Sequence, residues 1–193
     1  MIPFMVVLWR SLHEIIASKG GATLVNEEQR MKNLWAPWRM EYILSDQGES
    51  SCIFCPGEDK EASKERLLLY MGPLTMVMMN RYPYNNGHLL VAPLRHISEL
   101  GALSQEETLD LINLVNQSIS ILKEVMAPEG FNVGLNIGKV AGAGIEKHLH
   151  YHIVPRWNGD TNFMTLFGDV RVIPEHIQQT YDNLLPGFRK LRP

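Results

Sequence analysis

The sequence predicts an α+β fold: an antiparallel sheet of about five strands with one long helix and a C-terminal helix. Three observations carry that expectation. Short apolar runs at residues 67–70 and 75–79 flank Gly72-Pro73, the mark of a hairpin. One long stripe of apolar residues with helical period follows Ser104. Residues 148–154 read His-Leu-His-Tyr-His-Ile-Val, a period-two alternation that suits a strand. Hairpin-like runs grouped around a helix, rather than strands alternating with helices, point to antiparallel pairing.

The elements follow in order. Residues 1–30 read as an N-terminal arm, either a poorly ordered tail or an upstream start, and the compact domain spans 31–193. The apolar run from Ile2 to Trp9 is broken by Arg10 and is shorter than the about 20 apolar residues that cross a bilayer. No basic residue precedes it, so it makes a poor signal peptide. Residues 31–50 are an aromatic lead-in with Trp35, Trp38 and Tyr42, and residues 51–65 are a loop or knuckle holding Cys52 and Cys55. After the first hairpin, a loop rich in Pro, Asn and Tyr leads to a third strand at 88–93. Ser104 and Glu107 have capping-box spacing and open the long helix. Leu111, Ile112, Val115, Ile119, Leu122 and Met126 continue it; Pro128 and Gly130 stop it. A strand at 131–137, a glycine-rich loop at 138–144, the histidine strand at 148–155, a turn at Asn158-Gly159 and a helix at 175–185 complete the chain.

Bulk properties narrow the function. The chain has 193 residues, 45% hydrophobic and 20% charged, with a formal charge of -3. That balance excludes the broad basic footprint of a nucleic-acid binder. With no candidate span, the expectation is a cytoplasmic protein without membrane or nucleic-acid partners. Cys52 and Cys55 are the only cysteines. Two cannot build a disulfide framework, and C-x-x-C spacing suits metal or redox chemistry in a reducing compartment. No βαβ pattern surrounds them, which disfavours a thioredoxin-like pair; reduced, metal-free thiols remain the plain alternative.

The alternating row places His148, His150 and His152 on one face of a strand. Histidine is the side chain whose ordinary pKa lies nearest neutrality, so such a row offers a nucleophile, a proton carrier and a metal ligand. A buried structural histidine is the competing reading for each. The loop at 138–144 has three glycines, Gly138, Gly142 and Gly144, the last two closest to the row. Glycine lets backbone N–H groups approach phosphate oxygens, and Asn136 stands just before it as a further donor. A plain strand connection is the alternative.

His148-Leu149-His150-Tyr151-His152-Ile153-Val154 resembles the signature of the histidine triad family, His-x-His-x-His followed by two apolar residues. The segment from Asn80 to Pro93 resembles that family's nucleotide-binding segment. The lead-in from Leu34 to Arg39 and the tail from Pro155 to Phe163 resemble the branch that acts on diadenosine tetraphosphate. The resemblance covers residues 32 to about 190. It implies a covalent nucleotidyl-imidazole on the middle histidine, His150, with His152 and His88 as the supporting network. It implies that Asn80 holds ribose hydroxyls. Some members bind zinc through residues matching Cys52, Cys55, His96 and His148, a closed and therefore structural set. No organic cofactor is implied. Relatives form two-fold dimers through a sheet and the long helix, although a monomer core would use the same apolar stripe. Many relatives carry Gln or Ser just before the triad; here the stretch is Ala143-Gly144-Ile145, which leaves phosphate or water open as the second acceptor.

The expected activity is cleavage of a dinucleoside polyphosphate. Nucleoside phosphoramidate hydrolysis is the nearest alternative, but those small enzymes usually lack both lead-in and tail. Sugar-1-phosphate nucleotidylyltransferases are about twice this length and carry Gln as the third triad member. A DNA-end deadenylase would need a basic groove. A nucleotide-binding interaction module with little turnover is the reading from another class.

Overall fold

The computed structural model describes residues 52–56, 61–160 and 173–191. The N-terminal arm and the aromatics Trp35, Trp38, Tyr42 and Phe163 lie outside the described residues. Five strands form one sheet: β1 (Leu68–Met71), β2 (Thr75–Met79), β3 (Leu89–Pro93), β4 (Gly130–Leu135) and β5 (Tyr151–Arg156). Their order is β1-β2-β3-β5-β4, and every neighbouring pair is antiparallel. Among the described residues the two α-helices are α1 (Gln105–Met126) and α2 (Ile177–Phe188). This is the α+β architecture expected from the apolar runs. Among the described residues, no helix is long and apolar enough to cross a membrane.

β2 and β3 are buried at every position, so their sequences are continuous apolar runs rather than alternating ones. Side chains still alternate between two faces. Val77, Met79, Leu89, Val91 and Ile153 meet the helices, where Leu111, Leu114, Val115 and Leu122 of α1 and Tyr181, Leu184 and Phe188 of α2 pack. Met76, Met78, Leu90 and Ala92 point to the other face and pack with Phe54 and Leu68. Each fully buried side chain of this size contributes about 1.5–3 kcal/mol of transfer free energy. Odd numbers in β3 and β5 thus serve the core. Even numbers face the site.

The capping box forms as its spacing predicts. The Glu107 N–H donates to Ser104 Oγ at 3.1 Å, and the Ser104 N–H donates to Glu107 Oε2 at 2.8 Å. α1 ends at Ala127, whose φ of 46° is left-handed. α1 and α2 approach closely at Gly187: a Cβ there would stand 2.6 Å from Ile121 Cγ2.

The histidine strand begins later than the alternation alone suggests. The ladder starts at Tyr151, paired with Val91 on one side and Leu135 on the other. Ahead of it, a side chain replaces the ladder: His148 Nε2 donates to the Pro93 carbonyl at 2.8 Å, while the Leu149 N–H donates to the Ile97 carbonyl. The backbone leaves the sheet, but the side-chain alternation persists.

Candidate active site and metal centre

β3 and β5 are the middle of the sheet, and their pairing brings the distant histidines together. Leu90 lies opposite His152, so His88, two residues earlier on the same face, reaches the His152 ring. His88 Nε2 and His152 Nδ1 are 3.0 Å apart. The Tyr84 N–H donates to His88 Nδ1 at 3.1 Å. That nitrogen therefore carries the lone pair, and in the neutral ring the proton sits on Nε2. His88 then donates to His152, whose own proton is left on Nε2. The Asn136 side-chain amide stands 3.5 Å from that atom. Asn80 holds the other end: its Nδ2 is 3.3 Å from His88 Nδ1 and its Oδ1 accepts from the Tyr82 N–H at 3.0 Å.

His150 is buried beside this pair, its ring 4.9 Å from that of His152. Its Nδ1 lies 2.8 Å from the His148 carbonyl. A carbonyl can only accept, so the proton is on Nδ1 and the lone pair on Nε2. Burial pushes the imidazole pKa below its ordinary value, against the smaller upward pull of that carbonyl, so the ring is held neutral at pH 7.

His148 has the opposite tautomer. Its Nε2–H is committed to the Pro93 carbonyl, which turns the Nδ1 lone pair toward the knuckle. There Cys52 Sγ is 3.3 Å away and Cys55 Sγ 3.9 Å. His96 Nδ1 lies 3.2 Å from Cys55 Sγ. All four ligand atoms fall within 4.8 Å of one another. Ligands at about 2.3 Å (sulfur) and 2.0–2.1 Å (nitrogen) around one tetrahedral centre have S···N edges of about 3.5–3.6 Å, inside the observed spread. Burial, and next the neighbouring Cys52 sulfur, push the Cys55 thiol up, so a Cys55 thiolate here calls for a cation beside it. The residues fit a metal ion: two sulfurs and two imidazoles brought together from three separate segments.

The glycine loop forms a one-turn 3-10 segment at Lys139–Ala141 between Gly138 (φ 82°) and Gly142 (φ 87°), both outside ordinary side-chain territory. Trp157 is half-buried, and its N–H donates to Asp160.

Sequence reasoning missed two aromatics. Phe54, between the cysteines, is fully buried and stacks on His150 at 4.7 Å and 30°. Tyr84 stacks on His152 at 5.8 Å and 11°. Their only local signals were a Phe inside C-x-x-C and a Tyr in the loop before His88. Arg66 was missed too; its Nη2 donates to the Ile53 and Cys55 carbonyls at 2.9 and 3.2 Å.

Comparison with known proteins places the sequence and the fold among relatives. The chain is 39% identical over 163 residues to the AP-4-A phosphorylase of Mycobacterium tuberculosis, covering 81% of this chain and 84% of that protein. It is 28% identical over 128 residues to the adenosine 5'-monophosphoramidase of Schizosaccharomyces pombe, covering 66% of this chain and 91% of that one. The fold is similar to that of a Zn-bound histidine triad family protein from Mycobacterium smegmatis, with a TM-score of 0.56 and 23% identity, covering 74% and 96% of the two chains. The HIT domain matches residues 61–159, the segment that carries the sheet, α1 and all five clustered histidines, and the chain belongs to that family.

Proposed function

We propose that the protein is a nucleotide phosphorylase of the HIT family that cleaves diadenosine tetraphosphate-like dinucleoside polyphosphates through a nucleotidyl-His150 intermediate. The observation that carries this reading is the His150 tautomer: Nδ1–H bound to the His148 carbonyl at 2.8 Å leaves Nε2 as a neutral nucleophile. Likeness to a relative named AP-4-A phosphorylase supports the substrate class and the acceptor.

Two displacements follow. His150 Nε2 attacks the α-phosphorus; an N–P bond forms and the bridging P–O bond breaks. The departing oxygen leaves as a phosphate anion that accepts a hydrogen bond from His152 Nε2–H, and the Tyr84–His88–His152 chain fixes where that donor sits. An oxygen of inorganic phosphate then attacks the phosphorus, the N–P bond breaks, and the imidazole is restored. Diadenosine tetraphosphate and phosphate give ATP and ADP. Water in place of phosphate would give ATP and AMP, the hydrolase outcome. Asn80 serves the ribose side; Asn136, Gly142 and Gly144 serve the phosphates.

The metal is zinc in this reading, held by Cys52, Cys55, His96 and His148. A closed Cys2His2 zinc supplies folding energy and offers no open position to substrate. The protein works as a homodimer. β4 is an edge of the sheet among the described strands and exposes Val133, and α1 exposes Leu109 and Ile112.

The test is product analysis with diadenosine tetraphosphate, with and without phosphate, on protein of measured metal content. ADP formed only with phosphate is expected. ATP plus AMP regardless of phosphate makes the enzyme a hydrolase. No product, together with nucleotide binding by His150→Asn equal to wild type, sinks the enzymatic reading.

A further inference from the structure

We propose that Phe54 is a positioning residue for the nucleophile, and that through it the Cys2His2 centre governs nucleotidyl transfer and not stability alone. This rests on the reading of His150 as the nucleophile.

Besides the His152 ring at 4.9 Å, two close restraints on the His150 ring come from residues tied to the metal-ligand set. One is the His148 carbonyl at 2.8 Å, the backbone of a ligand residue. The other is the Phe54 ring, which covers a face of His150 at 4.7 Å and 30° and also touches His148 at 5.2 Å. Phe54 lies between two ligands in a knuckle of four residues. That knuckle is closed by the Cys55 N–H on the Cys52 carbonyl at 3.0 Å. Arg66 grips two of its carbonyls. Leu68, Met76, Met78, Leu90 and Ala92 pack with the same ring from the sheet. The phenyl plate is thus fixed at both ends by the ligands and along its side by the core.

If the sulfurs are released, the two cysteines no longer fix Phe54 from either side. His148 also loses the partners of its Nδ1. The His150 ring then regains rotation about its side-chain bonds, and the Nε2 lone pair no longer points along one line. A misplacement of about 1 Å at a reacting atom costs about a hundredfold in rate, so a loosened ring is enough to slow the first displacement by that order.

The experiment compares full-length wild type, Phe54→Leu and Phe54→Tyr, each with metal content and melting temperature measured on the same sample. Single-turnover nucleotidylation by diadenosine tetraphosphate gives the rate of the first step, and AMP binding gives affinity. Phe54→Leu is expected to keep its metal and bind AMP within about threefold of wild type, while nucleotidylation slows tenfold to a hundredfold. Phe54→Tyr, which retains the ring, recovers most of that rate. Wild-type rate in Phe54→Leu, or a loss that tracks metal or AMP affinity instead, overturns the proposal. Phe54→Met takes the place of a Leu variant that does not fold.

The imidazole 15N spectrum gives a second readout independent of turnover. Wild type with zinc should show His150 as one Nδ1–H tautomer, and both Phe54→Leu and chelated wild type a mixture. Unchanged spectra also overturn the proposal. If wild type forms no nucleotidyl-enzyme, the functional reading fails, and these spectra still decide the positioning role.

Discussion

Glu107 links the start of α1 to the segment that carries His96, and neutralising it should destabilise the protein in a pH-dependent way. Its carboxylate accepts from Arg95 Nε and Nη2 at 2.8 and 2.7 Å and from the Ser104 N–H at 2.8 Å. The Arg95 hydrogen bonds, then the Ser104 N–H, hold its pKa down to about 2, against a smaller upward push from burial. At about 1.4 kcal/mol per pKa unit, the drop from its ordinary value is worth at most about 3 kcal/mol. The Glu107 side chain is 9% exposed but that of Arg95 is 52% exposed, so water screens much of the pairing. About 1–2 kcal/mol is the realistic share. The folded pKa lies below the unfolded one. The contribution is therefore complete above about pH 4.5 and disappears as pH falls toward about 2. Glu107→Gln keeps the capping shape and removes the charge. Urea unfolding at pH 7 should show it about 1–2 kcal/mol less stable than wild type, and the gap should close on stepping down through pH 4.5 to 2.5. A gap that stays constant, or widens in acid, would refute the assignment.

Two further outcomes follow from the packing. Gly87 has φ +72°, and a Cβ there would stand 2.6 Å from Met126 Sδ and 3.3 Å from buried Leu122. Gly87→Ala should cost about 2–4 kcal/mol in urea unfolding, from left-handed strain plus crowding, and should slow nucleotidylation because His88 is the next residue; a loss under about 0.5 kcal/mol would show the turn relaxing freely. Sedimentation should give a dimer that Val133→Lys shifts toward monomer, with the melting temperature of the dilute protein otherwise preserved; an unchanged distribution places the interface elsewhere.

Local chemistry made much of this molecule legible. β2 falls at Thr75–Met79, as the apolar run indicates, and Ser104 with Glu107 forms the capping box their spacing allows. These signals depend on neighbours within a few residues. The family resemblance supplied the set Cys52, Cys55, His96 and His148, and the fold brings the four together. What stayed hidden depends on distant partners. β5 lies between β3 and β4, a placement that periodicity does not encode. The sheet starts at Tyr151 rather than His148 because the His148 ring takes the Pro93 carbonyl. Arg95 carries no local signal for its partner: the turn through residues 100–102 brings it back onto Glu107. Phe54 went unnoticed because its stacking partner is 96 positions away in the sequence.

The three histidines of the row have the same side chain and alternate on the same face, yet they are not interchangeable. The difference is set by what each ring meets on its inner side. His148 spends Nε2–H on the carbonyl of Pro93, so Nδ1 faces the sulfurs. His150 spends Nδ1–H on the carbonyl of His148, so Nε2 becomes the lone pair. His152 receives a proton donor at Nδ1 from His88, so its Nε2 must carry hydrogen. One ring therefore turns a lone pair toward the cysteine sulfurs, the next offers a lone pair from its other nitrogen, and the third offers a hydrogen-bond donor. In water at pH 7 all three would exchange tautomers freely; the fold selects each with one hydrogen bond of 2.8–3.0 Å. Two of those bonds end on backbone carbonyls, acceptors that no side-chain substitution removes. Variation at this site must then act through the residues that place those carbonyls, chiefly the β3 end at Pro93 and the ligand His148 itself.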